Sequence, residues 1–112
     1  MFGMFILRNR IPIPEPDTLR WGRWMELHRE DRIVAQVQVG PFFVSTVFLG
    51  LDHGFCSPTP VLFETMVFAG PKGRDLAQDR YSSWEQAEEG HRRMVAHYEA
   101  RIASKNRKRT TA

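Results

Sequence analysis

The chain has 112 residues, 42% hydrophobic and 26% charged, with a formal net charge of +3, eight Phe, three Trp and one Cys. That composition excludes a disordered or membrane-spanning chain and describes one small domain, able to bury about 65% of the surface its unfolded form exposes without a metal or disulfide staple. The charge is unevenly placed: positions 101–112 carry Arg101, Lys105, Arg107, Lys108 and Arg109 with no acid, which is +5 and leaves the first hundred residues at −2.

The opening Met1-Phe2-Gly3-Met4-Phe5-Ile6-Leu7 is apolar, but no cation precedes it and no small-residue cleavage site follows it, so it does not read as a secretion signal. No uncharged apolar run approaches the ~20 residues of a transmembrane helix. A cytoplasmic protein without membrane contact is the expectation, and a single thiol suits a reducing compartment. Ile11-Pro12-Ile13-Pro14-Glu15-Pro16 has proline at every second position, which removes amide donors and predicts a flexible, extended N-terminal arm over residues 1–18.

From Leu19 the pattern alternates: Trp21, Arg23, Met25 and Leu27 share one face, and Trp24, Glu26 and His28 the other, predicting a first strand. Ile33, Ala35, Val37 and Val39 alternate with Val34, Gln36 and Gln38 in a second, ended by Gly40-Pro41. Phe42 to Leu51 is β-branched and aromatic on both parities, as in a central strand covered on both faces. Val61 to Phe68 gives a fourth strand, and the polar stretch from Gly70 to Arg80 reads as a loop. A helix follows: Ser82 and Glu85 match a capping box, and Trp84, Ala87, His91, Met94, Val95, Tyr98 and Ile102 form one stripe interrupted only by Gly90. Residues 104–112 have no apolar anchor and are expected to be a disordered basic tail.

Strands in succession pair antiparallel, so residues 19–103 are expected to form an α+β domain: a four-stranded antiparallel meander with one C-terminal helix packed on one face. One helix covers one face. Phe42, Phe43, Phe48, Phe63, Met66 and Phe68 supply apolar groups to both, so the N-terminal arm, a second copy of the chain in a homodimer, or a foreign protein must cover the other. Trp21, Trp24, Phe42, Phe43, Phe48 and Phe68 are the protein-binding candidates.

The densest titratable group is Asp52, His53, Glu64 and His91, which would suit a divalent metal and a hydrolytic reaction if the strand ends brought them together. Their spacing matches no Cys-x-x-Cys or His-Glu-x-x-His pattern, so no metal, cofactor or catalytic residue is assigned, and a loop cap at Asp52 and a packed His91 are the plainer reading. Cys56 beside His53 lacks the neighbouring cation that activates a thiol. Gly70-Pro71-Lys72-Gly73-Arg74 lacks the following helix of a phosphate cradle. Nucleic acid is the second class of partner, through Arg101, Lys105, Arg107, Lys108 and Arg109 and an aromatic patch of Trp21 and Trp24 with Arg20 and Arg23.

Three blocks, Phe43-Val44-Ser45-Thr46-Val47-Phe48-Leu49-Gly50-Leu51-Asp52-His53, Leu62-Phe63-Glu64-Thr65-Met66-Val67-Phe68 and Arg80-Tyr81-Ser82-Ser83-Trp84-Glu85-Gln86-Ala87-Glu88-Glu89-Gly90-His91, carry a resemblance. Across residues 20–95 the chain resembles small proteins of bacteriophages and prophages that have no assigned activity. The resemblance implies a phage origin and expression in bacterial cytoplasm. It brings no catalytic residue, and it leaves the arm and the tail unmatched. A non-enzymatic accessory protein that binds a host or phage protein, such as a host defence or gene-expression factor, is the leading expectation.

Overall fold

The computed structural model describes residues 3–54 and 57–110. In chain order they form strands β1 (Phe5–Arg8) and β2 (Ile11–Pro14), helix α1 (Thr18–Leu27), strands β3 (Ile33–Val39), β4 (Phe42–Phe48), β5 (Phe63–Ala69) and β6 (Arg74–Tyr81), and helix α2 (Trp84–Thr110). The class is α+β, as expected. The organisation is richer than one meander with one helix: a two-stranded antiparallel sheet, β1-β2, stands beside a four-stranded antiparallel sheet ordered β3-β4-β5-β6.

The expected flexible arm is therefore a hairpin. Arg8 pairs with Ile11 and Ile6 with Ile13, while Pro12 and Pro14 face Leu7 and Phe5. Antiparallel pairs alternate between hydrogen-bonded and non-bonded positions, so the isoleucines carry the ladder and both missing amides fall on the outer edge. Alternating proline is what an edge strand tolerates. The hairpin is tied to the segment after β4: Phe5 N donates to Gly50 O at 2.8 Å and Asp52 N to Gly3 O at 3.0 Å.

The segment expected as the first strand is α1. Asp17 caps it, accepting from the amides of Leu19 and Arg20, both at 3.0 Å. Read at a period of 3.6, Trp21, Trp24, Met25 and His28 share the half-buried side, and Leu19 and Leu27 stand 86% and 74% exposed. Ten residues fit both periods, and the cap decides between them.

The fourth strand of the large sheet is β6, where a loop was expected. It is an edge strand whose residues are mostly exposed, so its sequence shows little apolar pattern. Gly70 and Gly73, at φ of 77° and 62°, turn the chain into it. Gly40, at φ 56°, begins the two-residue β3–β4 turn, and a Cβ there would lie 2.6 Å from Ile102 on α2.

The helix α2 is capped one residue later than expected. Ser83 Oγ accepts from Gln86 N at 3.1 Å, and Gln86 Oε1 accepts from Ser82 N at 3.0 Å. The helix then continues to Thr110, so residues 104–110 are helical and not a disordered tail.

Packing against α2 gives the large sheet a core in two parts. Phe48, Leu62, Phe63, Tyr81, Trp84 and Ala87 form one cluster, to which Phe5, Leu7, Trp24 and Met25 are added by the hairpin and α1. Val39, Val44, Val67 and Tyr98 form the other, joined by Phe42, Met94, Val95 and Ile102. The hairpin thus extends the helix-covered side of the sheet and does not cross to the other face.

Candidate functional site

A row of polar side chains divides the two clusters. Tyr81 O–H donates to Thr65 Oγ1 at 3.1 Å, the hydroxyls of Thr65 and Thr46 are 2.6 Å apart, and Thr46 Oγ1 lies 2.7 Å from His91 Nδ1. A head-to-tail relay from Tyr81 to His91 makes Nδ1 the final acceptor, which requires a neutral imidazole. Burial holds the His91 pKa below its ordinary value and raises that of Tyr81, so both groups keep the protonation state the relay needs. A Cβ at Gly90 would overlap the Tyr81 ring, so the mid-helix glycine is the space in which the relay's first donor sits. The four groups fix the register of α2 on the sheet. The sequence showed His91 on the stripe; Thr46 and Thr65 are legible only once β4 and β5 are paired, where they face one another.

The residues considered for a metal do not converge. Asp52 Oδ1 accepts from Gly54 N at 2.8 Å and Val61 N at 2.9 Å, and those backbone bonds, that of Val61 foremost, lower its pKa. It is a loop cap. Glu64 is paired with Arg80 Nε at 2.9 Å on the face of the sheet opposite His91, while His53 is exposed. No group of three or more His, Cys, Asp or Glu side chains suited to a metal ion occurs among the described residues. Cys56 lies outside the described residues.

The face away from α2 is where the two central strands leave apolar groups in view. The register places Phe43, Ser45 and Val47 of β4 beside Phe68, Met66 and Glu64 of β5, with Gln36 and Gln38 of β3 on one flank and Gln78 and Arg80 of β6 on the other. Phe43, Val47, Met66 and Phe68 are partly exposed and belong to neither core cluster. Gln36 donates to Ser45 Oγ at 2.9 Å. No described element packs over this face.

Of the six aromatic residues expected to bind protein, only Phe43 and Phe68 are here. Phe48 is fully buried. Trp21 donates its indole N–H to Phe5 O and Gly50 O, both at 3.1 Å, and Trp24 meets Phe48 edge-on with centroids 6.0 Å apart, so both pin α1 to the core. Phe42 packs against Tyr98 of α2, 4.6 Å between centroids. Val47 and Met66 complete the open face and were not among the protein-binding candidates read from sequence; their parity with Phe43 and Phe68 is the signal that finds them.

Two further surfaces involve the hairpin, α1 and the C-terminal part of α2. Leu7, Arg10, Trp24, His28, Asp31 and Trp84 line a cleft of about 450 Å³ where the hairpin, α1 and the start of α2 meet. Arg10 lies 4.8 Å above the Trp84 ring, and His28 stacks on Trp24 at 4.8 Å with its Nδ1 2.7 Å from Asp31. Asn9 and Arg10 hold φ of 52° and 67° in the hairpin turn, a left-handed conformation that glycine usually fills. At the other end of α2, Arg101, Lys105 and Arg109 border a groove of about 270 Å³ with Pro41, Phe42 and Ile102. The Arg101 guanidinium lies 5.5 Å from the Phe42 ring and 5.8 Å from that of Tyr98. No described helix is long and apolar enough to cross a membrane.

Comparison with known proteins returns no matching family model, no matching curated protein and no matching solved structure.

Proposed function

We propose that the chain is a non-enzymatic accessory domain of phage origin that acts by protein–protein binding, and that its working surface is the uncovered face of the four-stranded sheet. The observation that carries this reading is the layout of that face: Phe43, Val47, Met66 and Phe68 at the centre, ringed by Gln36, Gln38, Gln78 and the mutually neutralised Glu64 and Arg80. An apolar centre with a polar rim, to which Asp75 opposite Phe68 adds an acid, is the anatomy of a protein interface.

The area of the face supports a reversible partner. Four strands about 4.8 Å apart and about 24 Å long present roughly 450 Å² in plan, the size of a functional patch on a monomer. Doubled across two partners, the contact stays below the ~1,200 Å² of stable specific interfaces and far below an obligate dimer. The occupant in this reading is a host or phage protein bound reversibly, one that offers apolar surface, and the compartment that goes with it is the bacterial cytoplasm. A host defence or gene-expression factor is the class of target.

The test pairs self-association with face-dependent capture. Light scattering at micromolar concentration is expected to report a monomer; a stable dimer dissolved by Phe68→Glu would give the face to a second copy and overturn the reading. A host protein captured by the wild type and lost with Phe43→Glu and Phe68→Glu, while circular dichroism is unchanged, would support it. Equal capture by the variant would overturn it.

A further inference from the structure

The basic segment is absorbed neither by the core nor by the sheet-face reading. Because it is helical, its cations are ordered in space. Arg101, Lys105 and Arg109 recur at every fourth position, one ridge of α2, with successive side chains about 6 Å apart along the axis. His97 and Arg93 continue that ridge toward the middle of the helix. Ile102 is the last residue of α2 that joins a core cluster, so residues 103–110, about 12 Å of helix, extend beyond the part held by core packing.

Favourable interaction with the helix dipole accounts for cations in the last turn only. It does not account for Arg101, well before that turn, held against Phe42 and Tyr98. No described carboxylate pairs with Arg101, Lys105 or Arg109, and no acid follows Glu99 in the chain. The ridge is a pre-ordered line of positive charge on a domain that is otherwise slightly acidic.

We infer that this ridge is a binding site for the phosphate backbone of double-stranded nucleic acid. A single straight helix is an element that a duplex groove admits. A single strand fits less well, because binders of that class stack bases on open aromatic rings, and Phe42, the one aromatic residue bordering the groove, is already engaged by Tyr98 and Arg101. The contact assigned is to phosphates: the ridge offers Arg and Lys in a regular line, the residue types that neutralise the backbone, so the affinity is expected to be carried mainly by charge and to depend little on sequence. The protein-binding face and this ridge use different residues, which makes the domain a connector between a protein and nucleic acid.

The experiment is fluorescence anisotropy of the full chain with a labelled duplex of arbitrary sequence across a salt series. Three neutralised phosphates predict a log–log slope of about −2.7, rising toward about −4.5 if Arg107 and Lys108 also engage. Arg101→Gln, Lys105→Gln and Arg109→Gln together are expected to weaken binding by about 100-fold at low salt and flatten the slope; Lys105→Gln alone, an exposed position that leaves folding intact, is expected to remove about one unit of slope. Absent binding at low salt, or a slope unchanged in both variants, would overturn the site. Tighter binding of a single strand, or of vesicles rich in anionic lipid, would overturn its assignment to duplex. None of these outcomes depends on Phe43 or Phe68.

Discussion

On β4 and β5, Val44, Thr46, Phe48, Phe63, Thr65 and Val67 turn toward α2 and are buried, while their chain neighbours Phe43, Val47, Glu64, Met66 and Phe68 turn away and stay partly exposed. The two faces belong to the same strands and contain similar numbers of large apolar groups, so composition alone does not distinguish them. Their polar groups do. On the covered face the hydroxyls of Tyr81, Thr65 and Thr46 form one relay ending at His91, whereas on the open face Ser45 is bonded to Gln36 and the other polar groups are glutamines, Asp75 and an ion pair. A buried polar group must be satisfied within the chain, and a polar rim is left to water or a partner.

The largest effect expected from this contrast is in apolar truncation. Phe48→Ala, on the covered face, is expected to cost about 3–5 kcal/mol, because a fully buried ring leaves a cavity. Phe68→Ala, on the open face, is expected to cost about 1 kcal/mol or less, since much of the ring's surface is never removed from water in the free protein. Urea denaturation of both variants reads the difference. Equal losses would mean that the second face is covered after all.

Hydroxyl removal is expected to come next. Thr46→Val keeps the shape of the side chain but breaks the relay twice, leaving His91 Nδ1 without its partner and Thr65 with Tyr81 alone, and is expected to cost about 1–3 kcal/mol. Ser45→Ala, the next residue on the opposite face, loses one hydrogen bond to a glutamine that water can replace, and is expected to cost about 1 kcal/mol or less. A smaller loss at Thr46 than at Ser45 would show that the relay does not order the core.

How much of this was legible in the sequence follows the same division. Segments whose side chains are sorted by one strong environment could be read: β3 to β5 and the stripe of α2 were found at nearly their observed bounds. The failures are weakly buried elements. Ten residues of α1 carry apolar groups compatible with periods of both 2 and 3.6, and the deciding signal was Pro16-Asp17, a proline followed by an N-cap residue. The exposed edge strand β6 has no face to declare, and the alternate prolines of β2 look like a linker until a partner strand is placed beside them. Among the candidate site residues, Phe43 and Phe68 were named with four other aromatic residues, and only the pairing of β4 with β5 separates them from the ones that face the core. Asp52, His53, Glu64 and His91 were grouped because each is titratable, but Asp52 and His53 lie on a loop, His91 on α2 against one face of the sheet and Glu64 on the other face, which keeps them apart.

The relay makes a pH prediction that separates the faces further. His91 is neutral in the folded chain with its pKa pushed down by burial, so over the interval between that value and about 6.5 the unfolded chain binds more protons. The contribution of neutral His91 to stability is full above about pH 6.5 and is lost as the pH falls through that interval. The urea midpoint is expected to decline from about pH 7.5 to about pH 5 in the wild type and to decline less in His91→Gln. Asp52 loses its contribution in a separate window, below the ordinary carboxylate pKa of 3.8, because its own pKa is lowered by the amides of Val61 and Gly54. A midpoint flat to about pH 5 would remove the neutral, buried imidazole from the account.

The smallest expected change lies on the open face and tests its emptiness most directly. Arg80 is 39% exposed and Glu64 14%, so the pair is screened by solvent; Glu64→Gln is expected to cost less than about 1 kcal/mol and to cost less still in high salt. A buried pair behaves differently, since an unpartnered Arg80 would then cost about 3–5 kcal/mol and salt would not matter. A small, salt-sensitive loss therefore says that water reaches this face in the free protein. The same substitution places one uncompensated positive charge beside Met66 and Val47, so binding of an apolar partner surface is expected to weaken by more than folding does. If folding and binding weaken equally, the pair belongs to the domain's own scaffold and the docking surface must lie elsewhere.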